Sequence, residues 1–543
     1  MQYACNRNLH TLFLAGCCVY IACNNGPRQP SVPTGQDSLP VRTVPVDASI
    51  AGGFSAQTAY HFDSNAIGAF VKKYPLFRNL QPDLQKFYAD RHYAYAWFDR
   101  EGLIDQAENL YNRLVNLNEE GLPDKIPYKD SLTSVFDVYT SPMQQRKPEN
   151  ELMLTAQYFT YAIRAWGGIS EKETRAMKWF LPRKQLDLPF LMDSLLRDTS
   201  SLIIRQGYAN RQYGLLKNYL QRYKELAVKN NWKPVKPDRP VYERNDSSAV
   251  IAAVREKLFL LGDLAVPGNS PRFDSVMEMA VKHFQNRAGL KEDGRLGKAT
   301  IARINQLPET YIRKILLNME RSRWVPVSVQ NDYIIVNIPA FQLFAYEHDS
   351  LVFTMKVVVG KAMHKTVIFN GDLRYVVFSP YWNVPPDILK NEVLPAIRKD
   401  PDYLRRNNME WNGNGIRQKP GPQNSLGLVK FLFPNSYNIY LHDSPAKNLF
   451  NEETRAFSHG CIRVAEPRKL ALYLLRKQPG WTEAAVDAAM HSGKEKYVTL
   501  TSPVPVFIAY LTAWVDRQGN LNFRDDIYKR DARLEQAMLK TKK

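Results

Sequence analysis

Cysteine is scarce: of the chain's five, four fall within the first 23 residues, which leaves Cys461 as the one thiol in the body of the protein. No internal disulfide can form there, even in an exported chain where the redox environment would permit one. With no second thiol and no Cys-x-x-Cys beyond the leader, a redox pair is excluded and a structural zinc site is discounted. Internal repeats and long low-complexity tracts are also lacking, as are zinc fingers, RNP boxes and basic helices. Lys and Arg number 73 against 54 Asp and Glu, a net +19 spread along the whole chain. That excess suits a polyanion, but without a nucleic-acid motif it points to an anionic envelope polymer or a membrane surface instead.

What is present begins with the leader. Arg7 precedes the apolar run Thr11 to Ala22, twelve residues that end small and then turn polar at Asn24-Asn25-Gly26-Pro27. The run is too short to span a bilayer and reads as an export signal over residues 1–23. Leu14-Ala15-Gly16-Cys17 and Tyr20-Ile21-Ala22-Cys23 each resemble a bacterial lipobox, so the expected lipidated residue is Cys23 or Cys17. An ordinary secretory signal is the alternative. A lipid there makes the chain a membrane-anchored lipoprotein on the periplasmic side of the cell envelope.

Residues 24–59 are rich in Pro, Gly, Ser and Thr and read as a flexible tether. Residues 60–243 turn helical: Ile104, Ala107, Leu110, Tyr111, Leu114 and Leu117 recur at helical spacing, and Gly121 stops the run. This is a helical scaffold whose aromatics serve packing. In residues 247–307, Val250, Val254, Leu258 and Leu261 share one face, Val276, Ala280, Val281 and Phe284 line another helix, and glycines mark the turns. The pattern predicts a compact three-helix module, followed by a linking helix over residues 308–330. From Tyr333 the period switches to the alternation of strands, predicting a mostly β domain over residues 331–528. A helical stretch Pro386 to Lys399 interrupts it, a helix near Ala465 to Lys477 follows Cys461, and a late hairpin (Val504 to Asp516 with Asn520 to Phe523) turns at Gln518-Gly519. Residues 529–543 form a basic tail, and the fold class is multidomain α+β.

Most free cysteines are small buried hydrophobes. Cys461, however, stands in Ser458-His459-Gly460-Cys461-Ile462-Arg463, a polar and basic setting expected to favour the thiolate. Nucleophilic catalysis needs a base and oxyanion donors. His442 ends a strand as a positioned base should, and Gly460 allows close backbone approach beside the Cys461 N–H.

Two resemblances organise these readings. Ala280-Val281-x-x-Phe284-Gln285, Gly289-Leu290 and Asp293-Gly294-x-Leu296-Gly297-x-x-Thr300 are similar to the peptidoglycan-binding domain of cell-wall enzymes. His442, fifteen intervening residues, then Ser458-His459-Gly460-Cys461-x-Arg463 resembles the signature of the L,D-transpeptidases with their YkuD-type catalytic domain. Val336-Asn337-Ile338-Pro339, Val359-Gly360-Lys361, Trp382-Asn383-Val384-Pro385-Pro386 and Gly421-Pro422-Gln423-Asn424-Ser425-Leu426-Gly427 agree with it, and the upstream domains match the long multidomain branch. Papain-like peptidases carry Cys before His, the opposite order.

The resemblance implies that Cys461 is the nucleophile and His442 its proton donor and acceptor, oriented by the backbone carbonyl of Asp443. It places His459 and Gly460 in the nucleophile loop and oxyanion region, Arg463 toward the loop or substrate, and Trp382 and Asn383 along the cleft. For Arg463 a structural ion pair is equally open, and for Trp382 simple packing. The implied reaction joins a donor tetrapeptide stem to an acceptor stem in a 3→3 crosslink through a Cys461 thioester, with loss of terminal D-Ala. It needs no metal and no cofactor, and a carbapenem would acylate the same thiol. An L,D-carboxypeptidase using water as acceptor, or a silent peptidoglycan-binding lipoprotein, are the competing readings. Two departures stand out: Val367 where the family often has Pro, and a short segment between Tyr403 and Pro420, which predicts a smaller lid and a more open acceptor side.

Overall fold

The computed structural model describes residues 60–99, 102–137, 146–181, 183, 185–196, 211–229, 232–324 and 331–540. The export signal, Cys17, Cys23 and the tether at residues 24–59 lie outside them. Among the described residues no helix is long and apolar enough to cross a membrane.

Three large hydrophobic cores organise the chain. The first, from Phe62 to Met192, surrounds the helix Pro148–Ala162. That helix is buried on nearly every side from Glu151 to Ala162, its polar Glu151, Thr155 and Gln157 included. Its buried carboxylate, Glu151, accepts from the Ala96 and Trp97 N–H groups (2.6 and 3.1 Å) and the Tyr88 hydroxyl (2.7 Å), and burial pushes it up to about 7.

The second core holds the expected three-helix module: Ala249–Leu261, Ser275–Ala288 and Lys298–Ile304. Ser248 and Asp274 cap the first two by accepting from Val250 N (3.1 Å) and Met277 N (2.8 Å), groups a helix start otherwise leaves unpaired. The helix Arg211–Lys229, assigned by sequence to the scaffold, contributes Leu216, Leu220, Tyr223 and Leu226 to this second core instead. The helix Pro308–Trp324 joins two cores: Tyr311, Ile315 and Met319, one face at intervals of four, enter the module, while Leu317 and Trp324 enter the β domain.

The third core lies within the β domain. Its strands in chain order are β1 (Tyr333–Asn337), β2 (Gln342–Glu347), β3 (Ser350–Gly360), β4 (Asn370–Phe378), β5 (Trp382–Asn383), β6 (Met409–Asn412), β7 (Gly415–Gln418), β8 (Val429–Leu432), β9 (Leu441–His442), β10 (Ala456–Ser458), β11 (Ile462–Val464) and β12 (Lys496–Ala509). Nine of them form one mixed sheet in the order β10-β3-β11-β9-β8-β4-β12-β1-β2, and β2 also pairs with β3. That last pairing closes the sheet on itself and covers edges that would otherwise stay open. The remaining three, β5, β7 and β6, make a separate small sheet.

Two expectations change here. The late hairpin reduces to β13 (Ala513–Val515) and β14 (Leu521–Phe523), outside the nine-stranded sheet. Ala513, Val515, Leu521 and Phe523 pack instead into the core of the three-helix module. The basic segment after residue 528 includes a helix, Arg530–Lys540, pinned by Arg321 to Asp531 (2.6 Å) and by Arg530 Nη1 to the Met177 carbonyl (2.7 Å).

Candidate active site

The site forms where β9 and β11 run parallel, with Leu441 opposite Ile462 and His442 opposite Arg463. The Ile462 N–H donates to the Tyr440 carbonyl at 3.1 Å, so Cys461 sits just before β11, level with the end of the 437–440 segment. Strand pairing thus places the two segments that the motif spacing singles out side by side, with His442 opposite Arg463, two residues past Cys461.

His442 is buried, and its Nδ1 lies 2.5 Å from the Asp443 carbonyl. A carbonyl only accepts, so Nδ1 carries the proton and Nε2 is left as an acceptor. Burial first, and the neighbouring Arg463 second, hold the imidazole down to about 3 against the pull of that carbonyl. The Asp443 carboxylate is engaged elsewhere: it accepts from the Leu428 N–H (2.9 Å) and Ser444 N–H (2.7 Å) and pairs with Lys447.

Cys461 keeps a partly open surface, and its thiol donates to the Asn438 carbonyl at 3.5 Å. Burial by the surrounding walls pushes the thiol up, outweighing Tyr440, whose N–H and hydroxyl favour the thiolate, and Arg463. The basic sequence setting suggests a thiolate, but desolvation by the fold dominates and leaves a neutral thiol beside a neutral imidazole.

The nucleophile loop is tied from several sides. Ser458 Oγ donates to the Cys461 carbonyl (2.5 Å) and accepts from the Gly460 N–H (3.1 Å). Gly460 itself adopts φ +124°, a conformation that side chains resist. Thr366 Oγ1 donates to the Gly460 carbonyl (2.9 Å) while accepting from the Gly360 N–H (3.0 Å). A Cβ on Gly360 would fall 2.0 Å from the His364 carbonyl, so the crossing requires glycine. The Gly460 N–H, held by Ser458, is therefore engaged within the loop.

The other expected residues spread more widely. Among the described residues Arg463 has no carboxylate partner, and its Nε is buried without a hydrogen bond, so an ion pair does not explain it. His459 turns away from the sulfur and meets Glu392 (Nε2 to Oε1 3.0 Å), with its ring 5.2 Å from that of His364. Trp382 and Asn383 form β5 opposite Gln418 and Arg417, and Trp382 packs on Val384, Val393 and Ile416. These three anchor a small core of their own, joined by Ile388, Leu389 and Tyr403, which makes residues 382–418 a separate small unit that includes most of the segment expected to be a lid. Asn438 and Glu392 are absent from the motif reading, and Thr366 and Tyr440 enter it only as members of Lys365-Thr366 and Tyr440-Leu441-His442, with no role assigned. A role for Tyr440 was open to it, since this residue immediately precedes Leu441-His442 in a strand.

Residues 331–486 match the family model described as "L,D-transpeptidase catalytic domain", residues 82–220 the "Scaffold domain" and residues 248–304 the "Putative peptidoglycan binding domain". A protein of Haemophilus influenzae named "Putative L,D-transpeptidase" is 33% identical over 246 residues, covering 41% of this chain and 49% of its own length. The chain therefore spans about half the length of that relative. Solved L,D-transpeptidases from Xylanimonas cellulosilytica (15% identity, 50% of this chain and 100% of that one, TM-score 0.18) and Mycobacterium smegmatis (12%, 34% and 61%, TM-score 0.20) are similar only faintly. Likeness of that degree adds no weight. The chain thus carries matches to three domains in order, a scaffold domain, a peptidoglycan-binding domain and a YkuD L,D-transpeptidase catalytic domain, and it is similar in this to the multidomain L,D-transpeptidases.

Proposed function

We propose that the chain is a peptidoglycan L,D-transpeptidase that forms 3→3 crosslinks through a thioester on Cys461, held at the periplasmic side of the envelope by a lipid on Cys23 or Cys17. The observation that supports this most is the tautomer of His442: with Nδ1 on the Asp443 carbonyl, Nε2 is free to take the proton of a thiol. Because both groups rest neutral, the proton moves as Cys461 attacks and not before.

In the first half the sulfur adds to the carbonyl of the third stem residue, and His442 Nε2 receives the thiol proton. The Cys461 N–H faces the oxyanion. The C–N bond to terminal D-Ala then breaks, His442 returns the proton to its amine, and the thioester remains. In the second half the side-chain amine of another stem's third residue adds to the thioester carbonyl. His442 takes a proton from that amine and gives it to the departing sulfur. Arg463, a cation near the thiol with no carboxylate partner among the described residues, suits a stem carboxylate.

Incubation of the full chain with disaccharide-tetrapeptide, followed by mass spectrometry, tests the reading. Dimers lacking one D-Ala are expected. Tripeptide monomers alone would identify a carboxypeptidase, and unchanged substrate would leave a binding protein.

A further inference from the structure

The scaffold does not end at its own core. Its segment 177–181 lies along the catalytic sheet, where Trp179 forms a parallel bridge with Ile368 and the Phe180 N–H donates to the Ile368 carbonyl at 2.9 Å. Trp179 meets Trp324 edge-on at 4.9 Å, which fixes the backbone that carries Phe180. The Phe180 ring stacks on Tyr437 at 5.2 Å and 25°, and Phe369 approaches the same tyrosine at 5.0 Å. Tyr437 is thus held by one ring of the catalytic domain and one of the scaffold.

The next residues lead past the Cys461 sulfur, which Asn438 and Tyr440 touch. Asn438, at φ +54°, in a region few residues other than glycine enter, presents the carbonyl that accepts the thiol proton at 3.5 Å. Tyr440 offers its N–H and hydroxyl to the sulfur. His442 supplies the imidazole. Asn435 pins the turn from inside, its Nδ2 donating to the Ile439 carbonyl (2.8 Å) and its Oδ1 accepting from the Tyr437 N–H (3.0 Å). Phe180 is the outside support, and it comes from another domain.

We infer that Phe180 of the scaffold is a positioning residue for the nucleophile, holding through Tyr437 the 438–442 segment at the distance from Cys461 that acyl transfer needs. The inference rests on the reading of Cys461 as the nucleophile. Without the Phe180 ring the segment loosens, water reaches the sulfur, and the thiol separates from its carbonyl and imidazole partners. Alkylation and acyl transfer then respond in opposite senses, which a loss of folding alone does not produce.

The test uses the full chain with Phe180→Ala, Phe180→Tyr and, as a control, Tyr111→Ala, which removes a ring packed on Phe136 in the scaffold's own core. Three quantities are read: the pH midpoint of Cys461 alkylation by iodoacetamide, kcat and KM for disaccharide-tetrapeptide, and the melting temperature. Phe180→Ala should lower the midpoint by about half a pH unit or more as burial is relieved. It should also lower kcat about tenfold with KM within about twofold, the pattern of a misplaced reacting group. Phe180→Tyr should restore both, while Tyr111→Ala lowers the melting temperature and moves neither. A Phe180→Ala protein with the original midpoint and kcat overturns the inference, as does Tyr111→Ala reproducing its effects. If the unsubstituted chain transfers no acyl group, the proposed function fails, and the midpoint comparison still decides the role of Phe180.

Discussion

His442 and Arg463 are register partners across the parallel β9–β11 pair, so a buried imidazole lies against a guanidinium that no carboxylate among the described residues neutralises. The cation disfavours protonation of the imidazole, and burial disfavours it further, which keeps the base available in acid as well as at neutrality.

The pH profile should show this. With the imidazole held down to about 3, kcat/KM of the unsubstituted chain should stay level from neutrality to about pH 5. Arg463→Gln removes the second of the two causes and should move the acid limb upward without carrying it to the ordinary histidine range. An acid limb near the ordinary value of 6.5 in both proteins would contradict the assignment.

The same shift has a stability counterpart. An imidazole whose folded pKa lies below its unfolded one binds protons more readily in the unfolded chain, so its contribution is full above pH 6.5 and is lost as pH falls from 6.5 toward 3. Between pH 6.5 and about pH 5 that loss is about 1.5 kcal/mol for this fully buried group. Denaturant titrations of the unsubstituted chain and His442→Gln should differ in slope over that window by this amount, and parallel slopes would count against a buried neutral histidine.

Thr366 bridges two loops with one hydroxyl, between Gly360 N–H and Gly460 carbonyl. Thr366→Val leaves both groups unpaired and should cost about 1–3 kcal/mol while slowing carbapenem acylation of Cys461. Thr366→Ser keeps the hydroxyl and should recover most of both, measured by chemical unfolding and by acylation rate.

The lid presents a contrast. Glu392 and His459 form a half-exposed pair, worth about 0–1 kcal/mol at most. Glu392→Ala should therefore leave the melting temperature unchanged and increase hydrogen exchange in residues 386–399 alone. Strong protection of residues 403–420 without substrate, as a lid closed over the cleft would give, would contradict the open acceptor side expected from the short segment.

How far the sequence reaches depends on what each pattern encodes. The first part of Ser350–Gly360 alternates because one face is buried there, Tyr333–Asn337 is a nearly unbroken apolar run because both its faces are covered, and the helix at Ser275–Ala288 has both a cap and a stop in its sequence. The pattern of Ala513 to Phe523 is equally clear, yet alternation tells only that one face is covered and not by what. Packing against the three-helix module was therefore not legible. Cys461 and His442 were, through their spacing. The protonation of the thiol was not, because it depends on burial by segments distant in sequence, and basic neighbours pull the other way. Phe180 carried no signal of its own: its place beside Tyr437 follows from a bridge to Ile368 that nothing local announces.

The central claim is an acyl-enzyme on Cys461, and the most direct measurement is an acid quench of the full chain during reaction with disaccharide-tetrapeptide, followed by digestion and peptide mass mapping. The account predicts an adduct of the stem without its D-Ala on the peptide containing Cys461, released by hydroxylamine and absent from Cys461→Ala, which makes no dimers. Dimers formed by Cys461→Ala, or an adduct on another residue, would contradict it.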